Sequence, residues 1–310
     1  MTDISVIIPI NDTRQLSGLF FTQWYEQTVK MNRFELIVIT SNEEQFKFIN
    51  HLYKKTLHLK PDDLALHFLN EDIQQSRAKA MNLGIKKSIS SLLYFFGDDN
   101  IPTKKTIMQH LLFHKDNPSA INVGIGLAFI PDKFKNEFIN WLEASGSLFG
   151  IPFKQDEIKI PPNFFYMANT SIKKEFVIQA GLFDEDFKYH CWDDWELGLR
   201  LSKLGMTSAV VMESHAIHNH DVNISGRYQS MQQAGESCKI YENKFPCEPR
   251  PWSNLTTKSP QWKIIKVQLY LLLSKITLST KVKHLYFKEK MDLAFLLGYL
   301  TPIKTLDSPY

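Results

Sequence analysis

The first 115 residues alternate between short apolar runs and segments of helical character, and this alternation constrains the fold more than any other feature. The runs are rich in β-branched and aromatic residues, and they span residues 4–10, 34–39, 64–69 and 92–96. A run that is apolar at successive positions is typical of a strand buried on both faces of a parallel sheet. The sequence therefore predicts an α/β domain with a mostly parallel central sheet.

Helical segments separate these runs, and further elements follow them. The predicted helices are residues 16–30, 43–57, 75–89, 103–114 and 193–204, and the further strands are residues 121–129 and 164–172. Pro102 is expected at the first position of the helix that follows it. In a doubly wound sheet, ligands bind at the carboxyl ends of the strands, so functional residues are expected directly after each strand.

The character of the chain changes beyond residue 226. A polar helix is predicted at residues 229–241, a proline-containing linker at 246–251, and two or three helices at 261–300. We therefore expect a catalytic-type domain at residues 1–226 and a helical, lysine-rich extension at residues 227–310.

The net charge of +3, from 36 basic and 33 acidic residues, argues against a general nucleic-acid binder. That charge is unevenly distributed, because residues 258–290 contain eight lysines and a single acid and carry +7, which leaves −4 elsewhere. A basic, leucine-rich helical segment can lie on an anionic membrane surface. It can equally pack its leucines on the preceding domain and leave its lysines in solvent.

Three cysteines without CxxC spacing indicate neither a disulfide framework nor a zinc site, which favours a reducing compartment. The N-terminus lacks the basic start of a signal peptide. No apolar run approaches the roughly 18 to 20 residues that a membrane span needs. We expect a cytoplasmic protein that is soluble or peripheral at the inner face of the cell membrane.

The turn after the fourth strand carries two adjacent carboxylates, Asp98 and Asp99. Adjacent carboxylates repel each other, and a divalent cation can neutralise them. The alternative is an Asx-type turn that caps the next helix.

A second acidic segment spans residues 192–201. Asp193 and Glu196 fit a helix capping box, and Arg200 is expected to pair within the same helix. This leaves Asp194 in the first helical turn, flanked by Trp192 and Trp195, where a carboxylate can act as a general base.

Three histidines, His215, His218 and His220, fall within six residues. A single histidine is usually structural, whereas a cluster is compatible with metal ligation. No HExxH signature accompanies them.

In their order along the chain, these segments resemble glycosyltransferase family 2, an inverting family with the GT-A fold. Residues 5–11 are similar to the family's opening strand followed by Pro-x-x-Asn or a near relative, and Asn82-Leu83-Gly84 to its Asn-x-Gly. Residues 97–102 correspond to its metal-binding Asp-x-Asp with a following proline. Residues 181–187 and 192–205 look like its GxFDExF…(E/D)DxELxxRLxxxG block, and the resemblance covers residues 4–222.

The resemblance implies a general base at Asp194, with Asp193 beside it, and a metal held by Asp99, Asp98 and His218. Mn2+ suits an imidazole ligand better than Mg2+ does. Donor contacts are expected at Pro9, Ile10, Asn11, Ser41, Lys79, Asn82, Asp98 and Asp99. Sugar or acceptor contacts are expected at Asn169, Trp192 and Trp195, with further acceptor contacts from residues 133–162. The implied donor is a nucleotide sugar, with UDP favoured, and the implied acceptor is a bacterial-type surface glycan or another glycoconjugate.

Two departures from the family pattern leave alternatives open. One acid of the metal motif is replaced, by Gly97 or by Asn100 depending on the register, and the acidic turn after the second strand is Thr40-Ser41-Asn42. A catalytically degenerate nucleotide-sugar-binding or scaffold protein is therefore one rival. A nucleotidyltransferase is another, although the first strand is not followed by the glycine-rich phosphate loop that such enzymes carry.

Overall fold

The computed structural model describes residues 2–10, 12–13, 16–56, 65–70, 76–148, 165–187, 189, 191–248, 250, 252–277 and 279–301. The chain divides into two compact units. The first, here called the sheet unit, comprises Met1–Lys135, Leu148–Lys188 and Asp193–Asp221. The second, here called the helical unit, comprises Asn136–Ser147, Tyr189–Trp192 and Val222–Tyr310.

Eight strands form one sheet in the sheet unit. They are β1 (Ile4–Pro9), β2 (Phe34–Thr40), β3 (Ala65–Asn70), β4 (Leu92–Phe96), β5 (Asn100–Pro102), β6 (Asn122–Phe129), β7 (Asn169–Lys173) and β8 (Thr207–His218). Their order is β3-β2-β1-β4-β7-β6-β8-β5. Strands β3, β2, β1 and β4 are parallel, β7 is antiparallel to both β4 and β6, and β8 is parallel to β6 and antiparallel to β5.

The helices α1 to α7 follow the strands of the sheet, and α8 to α11 form the C-terminal part. They are α1 (Gly18–Tyr25), α2 (Glu43–Thr56), α3 (Arg77–Lys87), α4 (Thr106–Asp116), α5 (Glu137–Ala144), α6 (Lys174–Gln179), α7 (Asp193–Lys203), α8 (Ile224–Lys244), α9 (Ser253–Thr256), α10 (Pro260–Ile276) and α11 (Thr280–Leu300). Short 3-10 helices lie at Met31–Arg33 and Asp132–Phe134. The α/β class with C-terminal helices is thereby confirmed.

Strand β1 shows why a mostly apolar run predicted a central strand. All six of its residues are buried. Ile7 belongs to the hydrophobic cluster on one face of the sheet, and Val6 and Ile8 belong to the cluster on the other face. Because alternate side chains of a strand point to opposite faces, both faces of β1 must be apolar.

Three predicted elements need correction. The run at residues 64–69 forms β3, which is an edge strand with exposed positions rather than a strand buried on both faces; residue 64 lies outside the described residues. The helix predicted at 16–30 ends at Tyr25, and the Thr28 backbone N–H donates to the Lys104 carbonyl oxygen over 2.8 Å instead of to a carbonyl of this helix. The strand predicted at 164–172 begins only at Asn169; residue 164 is outside the described part.

Pro102 is not the first residue of a helix. It ends β5, where it lies opposite Ala216 of β8, and the helix α4 begins at Thr106. Neither β5 nor β8 was predicted from the sequence, because β5 has three residues and β8 mixes polar and apolar side chains. The pairing of these two strands determines where the candidate metal ligands lie.

In the helical unit, α8 and α11 cross at two glycines. A Cβ on Gly235 would lie 2.0 Å from the Phe295 carbonyl oxygen, and a Cβ on Gly298 would lie 1.9 Å from the Gln232 carbonyl oxygen. This close backbone approach requires glycine at both positions. Over the described residues, none of the helices combines the length and the apolar character needed to cross a bilayer.

Candidate active site

The loop after β1 and the turn after β4 are joined at the carboxyl ends of their strands. The Asp12 backbone N–H donates to Asp98 Oδ2 over 3.0 Å. The Ile10 N–H donates to the Ile39 carbonyl oxygen of β2 over 2.8 Å. Three neighbouring strands therefore end in one connected region, as expected for the ligand-binding edge of a parallel sheet.

Asp99 and His218 meet at this edge. His218 Nε2 lies 3.1 Å from Asp99 Oδ2, and the Asn219 N–H donates to the Asp99 carbonyl oxygen over 3.0 Å. Both contacts follow from the antiparallel pairing of β5 with β8, which places Asn100 opposite His218. The imidazole is almost fully buried, whereas the Asp99 side chain is 37% exposed.

The electrostatics of Asp99 favour its charged form. Burial alone would raise the pKa of this carboxyl. The hydrogen bond from His218, together with the charges of His218 and His220, outweighs burial and holds the pKa of Asp99 below its usual value. Asp99 is thus available as an anionic oxygen ligand.

Gly97 and Asn100 are the two residues that can replace an acid of the family's metal motif, depending on the register. The structure explains both of them. A Cβ on Gly97 would lie 2.8 Å from Asp99 Oδ1, so glycine leaves the space that the Asp99 carboxylate occupies. Asn100 is fully buried and its side-chain amide donates to the Ala168 carbonyl oxygen over 3.3 Å. Asp99 is therefore the carboxylate that faces His218, and Asn100 belongs to the strand.

The other two histidines of the cluster do not share this position. His215 contributes its carbonyl oxygen to Thr103 N–H and to the Thr106 hydroxyl, and its ring packs edge-on to Phe129. The His220 ring lies beside His218 with 5.4 Å between ring centroids, and burial lowers the pKa of His220.

The first turn of α7 holds the second acidic group. Arg77 of α3 binds Asp193 through two hydrogen bonds, from Nε to Oδ2 at 2.9 Å and from Nη2 to Oδ1. Arg77 Nη2 also lies 3.2 Å from Asp194 Oδ2. The Asp193 side chain is fully buried, and that of Asp194 is 21% exposed.

Asp194 is the more accessible carboxylate of the pair. Burial raises its pKa, Arg77 opposes this effect, and the neighbouring Asp193 charge adds to it; the net shift is upward. A raised pKa makes the carboxylate a stronger base. Arg77 was not predicted from the sequence, and only the fold brings it to α7.

The partners of Asp193 and Glu196 differ from those of a capping box. Asp193 is bound by Arg77, and Glu196 is bound by Arg200, with 2.5 Å between Glu196 Oε1 and Arg200 Nε. The expectation that Arg200 pairs within its own helix is confirmed. Arg200 also donates to the carbonyl oxygens of Ala180 and Leu182, which ties α7 to the preceding loop.

The predicted donor-binding residues have different environments. Pro9 and Ile10 are buried at the end of β1, and Asn11 lies outside the described residues. The Ser41 hydroxyl donates to Gln45 Oε1 over 2.9 Å, and Lys79 is partly buried in the first turn of α3.

Asn82 supports a loop rather than facing solvent. It is 4% exposed; its Nδ2 donates to the Phe183 carbonyl oxygen and to Glu185 Oε1, and its Oδ1 accepts from the Phe183 N–H. The amide thus holds the loop before α7.

Asn169, predicted as a sugar or acceptor contact, does not lie at an accessible surface. It is fully buried, and its Oδ1 accepts from the Tyr94 hydroxyl at 2.7 Å and lies 2.9 Å from His110 Nε2. Ser171 Oγ joins the same network through His110 and His114. Burial lowers the pKa of His110 to about 4 and that of His114 to about 3.

The two tryptophans that flank the acidic pair also differ. Trp192 belongs to the helical unit, where its indole N–H donates to the Ala234 carbonyl oxygen over 2.7 Å and its ring lies 4.6 Å from that of Trp252. Trp195 is partly buried on α7 in the sheet unit. Residues 149–162 of the predicted acceptor loop lie outside the described residues.

Asp99 and His218 offer two metal ligands. Among the described residues there is no group of three or more His, Cys, Asp or Glu side chains arranged to hold a metal ion. A hard divalent cation is often held by one or two protein ligands together with substrate phosphates. The donor set of one carboxylate and one imidazole fits such a cation, with the remaining ligands coming from a diphosphate.

Comparison with known proteins gives one sequence relative and several structural neighbours. No family model matches the sequence. The protein "Uncharacterized glycosyltransferase YfnE" of Bacillus subtilis (strain 168) is 21% identical, with 77% of this chain and 70% of that protein covered. The mannosyltransferase PcManGT from Pyrobaculum calidifontis, solved in complex with GDP-Man and Mn2+, aligns with a TM-score of 0.64 and 14% identity over 96% of this chain and 86% of that chain.

A second solved structure is residues 1–349 of S. aureus TarS in complex with UDP, which aligns with a TM-score of 0.53 and 14% identity. The alignment covers 96% of this chain and 90% of that chain. The chain has the fold of these proteins. Together with the sequence relative, this fold supports a transferase of the glycosyltransferase class.

Proposed function

We propose that this protein is an inverting glycosyltransferase of family 2 with the GT-A fold. It transfers a sugar from a nucleotide-sugar donor to a hydroxyl of a glycan or glycoconjugate acceptor in the cytoplasm. The observation that carries the proposal is the contact between Asp99 and His218 at the carboxyl edge of the sheet. The solved complexes with GDP-Man and Mn2+ and with UDP support a nucleotide-sugar donor.

The donor atoms at this edge fit Mn2+ better than Mg2+, since imidazole nitrogen is a poorer ligand for the harder ion. Asp99 and His218 would hold the ion. When bound, such an ion stabilises the negative charge that develops on the departing diphosphate. Asp98 is proposed to shape this site, because its carboxylate accepts the Asp12 N–H.

Asp194 is proposed as the general base. Its partly exposed carboxylate removes the proton of the acceptor hydroxyl while that oxygen attacks the anomeric carbon. Arg77 fixes the first turn of α7 by binding the buried Asp193, and so it orients Asp194. A single in-line displacement inverts the configuration at the anomeric carbon.

Recognition of the nucleotide is proposed to involve backbone groups after β1 and β2. Thr40 and Ser41 replace the family's acidic turn, and the Ser41 hydroxyl already binds Gln45. We keep Pro9, Ile10, Asn11, Ser41 and Lys79 as proposed donor contacts, with UDP favoured. Trp195 is proposed to offer an apolar face to the sugar, and Trp192 remains a proposed sugar or acceptor contact.

The test is a donor screen with the purified full chain. The protein is incubated with Mn2+ and UDP-, GDP- or dTDP-sugars without a glycan acceptor, so that water takes the place of the acceptor hydroxyl. This hydrolysis is measured as release of the nucleoside diphosphate for the native chain, Asp194→Asn and the exposed-site control Asp116→Asn. We expect one donor class to turn over in the native chain and the control and to fail in Asp194→Asn.

The same screen separates the rival functions. Donor binding by calorimetry without any turnover would indicate a binding or scaffold protein and overturn the enzyme assignment. Formation of a nucleotide sugar and pyrophosphate from a nucleoside triphosphate and a sugar phosphate would indicate a nucleotidyltransferase. Full turnover by Asp194→Asn would remove Asp194 from the role of base.

A further inference from the structure

Helix α10 contacts α11 through a buried lysine. Lys263 is 2% exposed, and its Nζ lies 2.6 Å from both Glu289 Oε2 and Asp292 Oδ2 of α11. A buried lysine is tolerated only when it is paired in this way. The ion triad therefore fixes which face of α10 lies against α11 within the helical unit.

The opposite face of α10 carries a continuous apolar row. Its members recur at alternating intervals of three and four residues, so they align along one side of the helix. They are Trp262 (66% exposed), Ile265 (52%), Leu269 (49%), Leu272 (57%) and Ile276 (71%). Isolated exposed apolar residues are common on proteins, but an aligned row of five marks a surface that binds an apolar partner.

Lysines border this row on both sides. At 100° per residue, Lys266 and Lys275 project about 90° to either side of the row's centre. Both are exposed. Among the described residues, Lys258, Lys275 and Lys281 form no ion pair, and α10 itself contains no acidic residue.

We propose that this face of α10 docks on the surface of an anionic phospholipid bilayer. An apolar row bordered by lysines lets the hydrophobic side chains enter the acyl boundary while the ammonium groups remain among the phosphates. The helix has 17 residues and is about 25 Å long, which suits a helix lying in the plane of the headgroups. It is not a spanning helix by length and composition.

The charges favour a lipid surface over a second copy of this chain. The row has the spacing of a coiled-coil seam, and residues beside such a seam face their counterparts on the partner helix. Two copies of α10 would bring Lys266 and Lys275 close to their counterparts while α10 itself supplies no acidic residue; Glu289 of α11 lies 3.7 Å from Lys266, and Lys275 forms no ion pair among the described residues. An anionic headgroup layer supplies the missing negative charge.

The experiment is co-sedimentation of the full chain with vesicles. One set contains phosphatidylcholine alone and the other about 30% phosphatidylglycerol, where each lysine near the surface adds to binding. We expect at least about tenfold stronger binding to the anionic vesicles, and a loss of this preference at about 0.5 M salt.

Matched variants locate the surface. Leu269→Gln with Leu272→Gln should weaken binding to anionic vesicles by about tenfold or more. The control, Leu19→Gln with Ile178→Gln, changes two side chains of similar exposure (51% and 53%) in the sheet unit and should bind like the native chain. Circular dichroism checks that all variants are folded.

Three results would overturn the proposal. The first is absence of binding to either vesicle. The second is equal loss in the control variant. The third is a dimer, seen by light scattering, that Leu269→Gln with Leu272→Gln dissociates, because this would identify a second copy as the occupant.

Discussion

His218 Nε2 and Asp99 Oδ2 lie 3.1 Å apart although 119 residues separate them in the chain. The contact exists because β8 returns antiparallel to β5 and ends opposite Asn100. A carboxylate and an imidazole are thereby held at the carboxyl ends of the strands, where ligands of a parallel sheet bind. This relationship is the structural basis of the proposed metal site.

Removing either group should abolish metal-dependent turnover. We expect Asp99→Asn and His218→Gln each to lower Mn2+-dependent nucleotide release by about 100-fold or more, because a metal with one protein ligand is weakly held. The exposed-site variants Asp116→Asn and His51→Gln serve as controls. Unchanged Mn2+ dependence in both site variants would place the metal elsewhere.

Gly97→Ala tests the same site by steric means. The new Cβ would lie 2.8 Å from Asp99 Oδ1 and 2.9 Å from Asn100 Nδ2, so it must shift one or both of these side chains at the site. We expect the Mn2+ concentration for half-maximal activity to rise about tenfold. Gly226→Ala is the control, since its Cβ would lie 3.5 Å from the nearest side-chain atom; an equal rise there would show that the effect is not specific to Asp99.

Arg77→Ala should destabilise the protein strongly. It leaves the fully buried Asp193 carboxylate without its cation, and an unpaired buried charge costs about 3 kcal/mol or more of unfolding free energy. Arg33→Ala, which breaks the more exposed pair with Asp3, should cost less than about 1 kcal/mol. Urea unfolding measures both, and equal losses would contradict the role assigned to Arg77.

The buried histidines predict loss of stability in acid. The pKa of His110 is about 4 in the folded chain, against about 6.5 in the unfolded chain. The unfolded state therefore binds more protons between these values, and stability falls as pH falls from about 6.5 towards 4.

At pH 5 the loss from His110 should be about 2 kcal/mol relative to pH 7. The measurement is urea unfolding at both values, in which His110→Gln should reduce the pH dependence by about this amount. The exposed His51→Gln should leave it unchanged. A pH dependence that is the same in His110→Gln and the native chain would show that His110 is not buried in its neutral form.

The local sequence pattern was sufficient to predict the strands whose side chains are buried on both faces of the sheet. Residues 4–10 and 92–96 could be recognised as strands because Ile7 and Phe95 on one face, and Ile8 and Phe96 on the other, are all apolar. The pairing of Asp99 with His218 could not be derived, because it depends on the contact of β5 with β8 and on no local signal. The acidic turn and the histidine cluster each suggested metal ligation, and the resemblance singled out Asp99 and His218.

Polar residues were the least predictable part of the site. Residue type alone does not distinguish Asn169 from an asparagine that binds a ligand. In the structure the sheet encloses it with Tyr94 and His110. Arg77 appeared as an ordinary basic residue at the start of a helix, and only tertiary structure brings it to Asp193. Residue type and spacing therefore identified candidates, whereas the fold shows which of them are buried and what they bind.

The central claim is most directly tested by comparing binding and turnover of one donor in the native chain and in Asp194→Asn. With Mn2+ and the donor found in the screen, the account predicts an unchanged Kd and a kcat for nucleotide release lower by about 1000-fold, because the base acts only on the acceptor hydroxyl. A native chain that binds the donor but never releases nucleotide, or an Asp194→Asn variant with the native kcat, would contradict it.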